Sequence, residues 1–148
     1  MKLVDFIIKA KMATYASEEE SNEKILEDGS KELTFRSGDF KYRDRYYGFN
    51  PFFGEEIVWQ GGEIVWSMNY FGKMSSDKVS DEDVYKFLQS AMRQIKEDRP
   101  FRGPSNFKSG GFEYIDESIG DVHNFTGTER ILHEGQEIYR LNYHGGSM

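Results

Sequence analysis

The sequence predicts an α+β fold in which an α-β-β-β unit is internally duplicated. Two such units would give an antiparallel sheet of six or more strands with two helices packed on one face. Three observations predict this fold. Residues 35–44 return at 107–116 with the same spacing of aromatic, glycine and acidic residues. A stretch with helical spacing of apolar residues precedes each copy, and runs of alternating apolar residues flank short glycine turns after it.

The two copies align along most of their length. At an offset of 72 residues the matched pairs include Phe40/Phe112, Tyr42/Tyr114, Asp44/Asp116 and Gly48/Gly120. After one inserted residue the match continues at an offset of 73 with Gly54/Gly127, Glu56/Glu129, Asn69/Asn142 and Tyr70/Tyr143. We therefore predict one domain spanning residues 1–148, built of two repeats at about 1–74 and 80–146. A pseudo-two-fold axis would relate the two repeats.

The first repeat opens with a helix and a long connector. Leu3, Phe6, Ile7 and Ala10 recur at helical spacing and form one apolar stripe. The connector, at about 17–29, contains three consecutive glutamates at 18–20. A run of like charges indicates a solvated loop.

The second helix has a clearer start. Ser80 is followed three residues later by Asp83, the pattern of a capping box. An apolar stripe then follows at Val84, Phe87, Leu88, Ala91 and Ile95. Asp98-Arg99-Pro100 predicts its end, because proline cannot continue a helix.

The strands follow each helix. Residues 39–47 and 111–117 alternate, with Phe40, Tyr42 and Asp44 on one face, and a further short strand lies near 32–36. Segments 55–60 and 63–71 flank Gly61-Gly62, and segments 128–133 and 136–144 flank Glu134-Gly135. Both pairs are typical of hairpins closed by a two-residue turn with positive φ.

The hairpin register identifies a candidate polar site. Simple two-residue turns place Glu56 opposite Ser67 and Glu129 opposite Arg140. Ile57, Trp59, Trp66, Met68 and Tyr70 then face the helices, while Glu56 and Asn69, with Glu129 and Asn142, lie on the opposite, open face. A glutamate and an asparagine repeated like for like are not needed to fill a core. They form either a ligand site, or surface hydrogen-bonding groups and relics of duplication.

Asp44 and Asp116 form a second repeated pair of acids. Each lies a few residues before a shared glycine, Gly48 or Gly120, where a short acid commonly accepts hydrogen bonds from turn N–H groups. As catalysts they would need a pKa raised by burial. With Tyr42 and Tyr114, whose rings lie two residues earlier, they complete the candidate ligand-binding set.

Composition excludes several functions. The net charge of −7 argues against a general nucleic-acid surface. The chain has no cysteine, and its three histidines are unrepeated and widely spaced, so we expect no metal site. It has no glycine-rich phosphate-binding motif, and we expect no cofactor. The basic connector 99–104 could contact a phosphate or simply form a structured loop.

We expect no contact with a membrane, because no stretch approaches the length of a membrane span and no signal peptide is recognisable. The absence of cysteine fits a reducing compartment, so we expect a cytoplasmic protein. Antiparallel sheet edges invite pairing, which leaves a homodimer open.

Four strings resemble a prokaryotic domain family of unknown function. They lie at 32–38, 46–52, 66–72 and 139–146, and the likeness covers nearly the whole chain. In that family the domain occurs alone or fused behind helix-turn-helix domains of transcription regulators. The resemblance implies a sensor or effector-binding module and carries over no catalytic residue. The duplicated plan also resembles regulator domains that bind drugs between two repeats, at the level of the fold alone.

Three functions follow as hypotheses. The leading one is a non-enzymatic small-molecule-binding or regulatory domain whose ligand, a cation or amine, sits between the halves near Glu56 and Glu129. The second is a hydrolase or isomerase that uses the paired carboxylates as acid and base. The third is a protein-interaction module that pairs through a sheet edge or an apolar patch.

Overall fold

The computed structural model describes residues 1–17 and 22–148. Within them the chain forms two helices, α1 (Leu3–Ala13) and α2 (Asp81–Met92). The strands are β1 (Lys24–Ile25), β2 (Lys31–Ser37), β3 (Phe40–Gly48), β4 (Phe52–Gln60), β5 (Glu63–Met74), β6 (Asn106–Ser109), β7 (Phe112–Asp121), β8 (Asn124–His133) and β9 (Gln136–Ser147). The acidic run at 18–20 lies outside the described residues, and the predicted connector contains the short strand β1.

The strands form one antiparallel sheet with the order β1-β2-β3-β4-β5-β9-β8-β7-β6. The α+β class and the antiparallel sheet of more than six strands are therefore confirmed. Strands β5 and β9 pair at the centre, and on either side of them the strands run in reverse chain order towards an edge. This order accommodates a duplicated unit, although the duplication and the repeat boundaries stay predictions.

Helix α1 covers the first half of the sheet. Its stripe is buried, with Phe6, Ile7 and Ala10 fully enclosed. The ring of Phe6 stacks on that of Phe40 in β3, with 4.8 Å between the centroids. The apolar spacing in the sequence thus corresponds to the face that packs on the sheet.

Helix α2 begins where the capping box predicts. The Ser80 hydroxyl accepts a hydrogen bond from the backbone N–H of Asp83 at 3.2 Å. The ring of Phe87 stacks on those of Phe107 and Phe112, which attaches the helix to β6 and β7. Its buried residues join the same core as those of α1, so both helices pack on one face of the sheet, as predicted.

The two hairpin turns are confirmed. Gly61 and Gly62 adopt φ of 59° and 90°, and Glu134 and Gly135 adopt 50° and 81°. Positive φ at both central residues matches the right-handed twist of the flanking strands. These turns join β4 to β5 and β8 to β9.

The register predicted beyond those turns is wrong, because each hairpin contains a bulge. The pairing shifts between Val58 and Trp59, so Glu56 lies opposite Met68 rather than Ser67. A matching shift between Ile131 and Leu132 places Glu129 opposite Leu141 rather than Arg140. One extra residue on one strand shifts the pairing by one position. Beyond the bulge, each side chain of that strand therefore points to the opposite face from the one that the simple register predicts.

The bulges also correct the assignment of faces. Glu56 and Glu129 are fully buried and point to the helix side, together with Trp66, Met68 and Tyr70. Asn69 and Asn142 are exposed on the opposite face. Ile57 and Trp59, expected beneath the helices, alternate away from the buried Glu56 and Val58. The repeated glutamates and asparagines therefore do not share a site.

The sheet ends in short strands. Strand β1 has two residues and β6 has four, so each edge offers few backbone groups to a partner chain. A homodimer through an edge stays a prediction. In the described part of the chain, neither helix has the length and apolar character needed to cross a membrane.

Candidate ligand-binding site

Two carboxyl groups meet beneath α1 in the first half of the sheet. Asp44 of β3 and Glu56 of β4 are direct cross-strand partners, and both are buried. The Tyr42 hydroxyl donates a hydrogen bond to Glu56 Oε1 at 2.5 Å. The Tyr70 hydroxyl donates one to Asp44 Oδ1, also at 2.5 Å. Each acid thus has its own tyrosine.

The second half repeats this arrangement. Asp116 of β7 and Glu129 of β8 are cross-strand partners and buried. The Tyr114 hydroxyl donates to Glu129 Oε1 at 2.6 Å, and the Tyr143 hydroxyl donates to Asp116 Oδ1 at 2.9 Å. The structure therefore groups six of the eight predicted site residues, three in each half, and separates only Asn69 and Asn142 from them.

The turn-capping role considered for the aspartates is wrong. Asp44 and Asp116 lie within β3 and β7, and their side chains point into the core. Burial, followed by repulsion from the neighbouring glutamate, raises the pKa of each aspartate to about 7. Both are therefore carboxyl groups that can exchange a proton near neutral pH.

Two buried cations balance the glutamates. Lys11 Nζ lies 2.9 Å from Glu56 Oε1 and donates a hydrogen bond to the carbonyl oxygen of Phe101 at 2.5 Å. Arg102 donates two hydrogen bonds to the carboxylate of Glu129, from Nε at 3.1 Å and from Nη2 at 3.0 Å. Because Lys11 binds the residue next to Arg102, segment 101–102 joins the two networks.

Sequence reasoning missed these cations. Lys11 follows the apolar stripe of α1 one residue after Ala10, and a lysine at the edge of such a stripe was a usable signal. Arg102 lies in the connector between two prolines, for which a structured loop and a phosphate contact were left open. The structure supports the loop, since Phe101 and Arg102 are almost entirely buried.

The second network bonds all four carboxylate-contacting groups closely, although Arg99 Nε is buried without a hydrogen-bond partner among the described residues. Glu129 accepts bonds from Arg102, Tyr114 and Tyr139, the last at 2.8 Å. Asp116 accepts a hydrogen bond from Tyr143 at 2.9 Å, and Arg99 Nη2 lies 3.6 Å from its Oδ1. The Tyr114 oxygen, whose single proton goes to Glu129, lies 3.4 Å from Asp116 Oδ2. These partners enclose both acids.

The first network is incomplete. Glu56 Oε2 and the Tyr15 hydroxyl are buried without a hydrogen-bond partner among the described residues. Asp44 accepts a hydrogen bond through Oδ1, and no described residue donates one to its Oδ2, which belongs to a side chain that lines a cavity. Buried polar groups are normally satisfied, so Glu56 Oε2 and the Tyr15 hydroxyl mark a place where this network lacks a partner.

A cavity of about 620 Å³ adjoins this incomplete network, between the residues that follow α1, helix α2 and strands β2–β5. Its buried end is formed by Asp44, Tyr70 and Arg102, and Tyr15 lies in its wall. Aromatic rings cover the middle, from Tyr46, Phe49, Phe52 and Tyr85. The exposed rim carries Glu23, Glu82, Asp83 and Lys86. The volume suits a small organic ligand.

The guanidinium of Arg102 lies between two rings at the buried end of this cavity. Its carbon lies 5.6 Å from the ring centroid of Tyr15 and 5.5 Å from that of Tyr70. Nε and Nη2 bind Glu129, while Nη1 has no partner in residues 1–17 and 22–148. Arg102 thus belongs to the second network by its bonds and to the cavity by its position.

Asn69 and Asn142 lie in a separate trough of about 780 Å³ on the opposite face, across the central strands. Asn142 accepts a hydrogen bond from the Thr128 hydroxyl at 2.9 Å. The rings of Phe53 and Phe71 stand half-exposed at its side. This trough spans the junction of the two halves, where the sequence placed a ligand site.

The described residues contain no group of three or more His, Cys, Asp or Glu side chains arranged to hold a metal ion. The polar groups at the cavity are instead a carboxyl, a guanidinium and phenols, which bind organic ligands through hydrogen bonds and charge.

The chain matches no curated protein and no solved structure. One family model does match, over residues 44–148, and its description is "Domain of unknown function (DUF5680)". This range begins at Asp44 and includes Arg102 and both acids of the second network, whereas Lys11 and Tyr15 precede it. The predicted resemblance to an uncharacterised domain family is confirmed, and the chain belongs to the family of the domain of unknown function DUF5680.

Proposed function

We propose that this protein is a non-enzymatic, sensor-type domain that binds a small organic cation in the cavity beside Asp44. One observation carries the proposal. Asp44 and its counterpart Asp116 have equivalent cross-strand glutamates and equivalent tyrosine bonds, yet of these two described aspartates only Asp44 lines the cavity, whereas Tyr114 and Arg99 lie within 3.6 Å of Asp116. A structural role alone does not require one of two equivalent networks to stay open.

Charge supports a cationic ligand. Three carboxylates and one lysine surround the rim, which gives an excess of negative charge at the entrance. The aromatic rings behind the rim present π faces to a bound cation. Attraction by the rim would concentrate amines near the cavity, and Asp44 would provide a counter-charge inside it.

The test is a thermal-shift screen of primary amines and cationic aromatics, each compared with a neutral analogue of the same shape. We expect selected amines to raise the melting temperature, since a ligand that binds the native state stabilises it. Asp44→Asn should abolish the shift. Asp116→Asn, at the matching position away from the cavity, should retain it. The proposal fails if no compound that carries an ammonium group stabilises the protein, or if Asp44→Asn leaves the shift unchanged.

An enzyme that uses paired carboxylates is the alternative. The raised pKa of Asp44 suits proton transfer near neutral pH. Its paired acid Glu56 does not line the cavity, however, and is bound by Lys11 and Tyr42. A single accessible carboxyl supports binding more directly than two-carboxylate catalysis does.

Localisation and partners remain part of the proposal. The absence of cysteine supports a reducing, cytoplasmic setting, and the negative net charge supports a partner other than nucleic acid. A protein-interaction role would use the half-exposed Phe53 and Phe71 beside Asn69 and Asn142.

A further inference from the structure

We infer that the ligand of this cavity is a zwitterion of the α-amino-acid class with an apolar side chain. Its carboxylate would bind Nη1 of Arg102, and its ammonium would bind Oδ2 of Asp44. The inference rests on the proposed function, because the ammonium of such a ligand is the cationic group that Asp44 would bind, and it adds a carboxylate contact at Arg102.

The buried end of the cavity presents one positive and one negative group together. Arg102 and Asp44 are each only 3% exposed, and both line the cavity. Both also contact Tyr70, since Asp44 accepts a hydrogen bond from its hydroxyl at 2.5 Å and Arg102 lies over its ring. A ligand group that reaches Tyr70 therefore has a donor and an acceptor within reach.

Each of these groups has one free position. Arg102 uses Nε and Nη2 for Glu129 and leaves Nη1 without a partner in the described chain. Asp44 uses Oδ1 to accept the hydrogen bond from Tyr70, and its Oδ2 has no hydrogen-bond partner among the described residues. A simple amine would occupy only the second position, whereas an α-amino acid would occupy both.

The other walls select the rest of the ligand. The rings of Tyr46, Phe49, Phe52 and Tyr85 surround the middle of the cavity and favour an apolar or aromatic side chain. The exposed Glu23, Glu82 and Asp83 at the rim would repel an acidic one. Aspartate and glutamate should therefore bind most weakly among the amino acids.

The test is isothermal titration of the full chain with three ligands that share one phenyl body. L-Phenylalanine has both charged groups, phenethylamine lacks the carboxylate, and 3-phenylpropanoate lacks the ammonium. L-Leucine and L-methionine are titrated to cover other apolar side chains, and L-glutamate tests the rim. We expect an amino acid to bind about 10- to 100-fold more tightly than its analogue lacking either charge, since each lost contact is a charge-assisted hydrogen bond.

Variants distinguish the two contacts. Asp44→Asn should weaken the binding of the amino acid and the binding of the amine to the same extent. Arg102→Met combined with Glu129→Gln removes the guanidinium without leaving a buried unpaired carboxylate, and should weaken only ligands that carry a carboxylate. Asp116→Asn is the matched control that should change neither affinity. Circular dichroism of each variant verifies that it folds, and Arg102→Lys, which keeps the charge opposite Glu129, replaces the double variant if that one does not.

The outcomes separate this inference from the proposed function. If amines bind as tightly as amino acids, or if the Arg102 variant affects both equally, the zwitterion is overturned while the cation site stands. If neither amines nor amino acids bind at millimolar concentration, both proposals fail.

Discussion

Tyr70 and Tyr143 lie directly opposite each other on the two central strands, and each donates its hydroxyl hydrogen to the aspartate of its own half. These bonds connect the centre of the sheet to the two buried acid pairs. The two halves thus share one arrangement, in which a central tyrosine contacts an acid on the third strand from the centre. They differ in what encloses that acid.

The first prediction concerns the pH dependence of folding. The pKa of Asp44 is about 7 in the folded protein, whereas its ordinary value is 3.8. Folding is therefore accompanied by uptake of a proton when the pH lies between these two values. Its contribution to stability is therefore largest below pH 4, falls as the pH rises towards 7, and is constant above that. Asparagine can still accept the Tyr70 hydrogen bond and cannot ionise.

The free energy of unfolding of Asp44→Asn relative to wild type should thus rise by on the order of 3 kcal/mol between pH 4 and pH 8. Urea denaturation at several pH values measures it. Asp116→Asn should show the same direction, because burial also raises the pKa of Asp116 to about 7. A difference between variant and wild type that does not change with pH would contradict the buried, protonatable state.

The second prediction concerns the buried ion pair. Lys11→Met removes the cation that lies 2.9 Å from Glu56. Among the described residues, the buried carboxylate then keeps a hydrogen bond only from Tyr42. We expect a loss of about 3–5 kcal/mol in the free energy of unfolding. Adding Glu56→Gln should recover most of that loss, because no buried charge then remains.

Chemical denaturation of the two single variants and the double variant gives the coupling energy. Lys9→Met, at an exposed position on the same helix, is the control and should change stability by less than about 0.5 kcal/mol. If the effects of Lys11→Met and Glu56→Gln simply add, the two side chains do not act as a pair.

The third prediction concerns Gly127, which pairs across the strands with Tyr143. A Cβ at Gly127 would lie 2.1 Å from Cζ of the Tyr143 ring, closer than any real contact. Gly127→Ala should therefore cost about 2–3 kcal/mol, because the ring must leave its position. The glycine shared with Gly54 at this position is explained by this close approach.

In a chain that also carries Tyr143→Leu, Gly127→Ala should lower the free energy of unfolding much less, because the ring that clashes with the new Cβ is gone. Thermal and urea denaturation of the four-member cycle measure the coupling. Thr126→Ala, one residue away on the same strand, serves as the control. Equal costs of Gly127→Ala with and without the ring would show that the glycine is needed for another reason.

Local chemistry in the sequence was enough to predict several elements. Ser80 and Asp83 fix the start of α2, because a hydroxyl and an N–H three residues later form a bond within one turn. Gly61-Gly62 and Glu134-Gly135 fix two turns through their positive φ. Each of these signals depends only on neighbours in the chain.

The faces of the strands could not be predicted in the same way. Whether Glu56 points to the core depends on the bulge at Val58 and Trp59, where the two strands of the hairpin lose their simple pairing. A bulge adds one residue to one strand, and no characteristic amino-acid pattern marks its position in the sequence. The repeated glutamates were therefore identified as unusual but assigned to the wrong side of the sheet.

The partners of the acids come from distant parts of the chain. Lys11 and Arg102 reach Glu56 and Glu129 from segments that the alignment of the two copies does not relate to each other. Pairing of this kind depends on how the helix and the connector pack over the sheet, so no local pattern indicates it.

The sequence by itself determined the places of the two helices, the start of α2, the turns and the fact that Asp44, Glu56 and their counterparts recur at equivalent positions. The predicted end of α2 at 98–100 was wrong, since the helix ends at Met92. Only the tertiary structure decided that these acids are buried, that cations meet them, and that one of two similar networks opens to a cavity. The physical reason is that periodicity and capping are properties of adjacent residues. Burial and ion pairing depend on which segments come together, and that is settled when the whole chain packs.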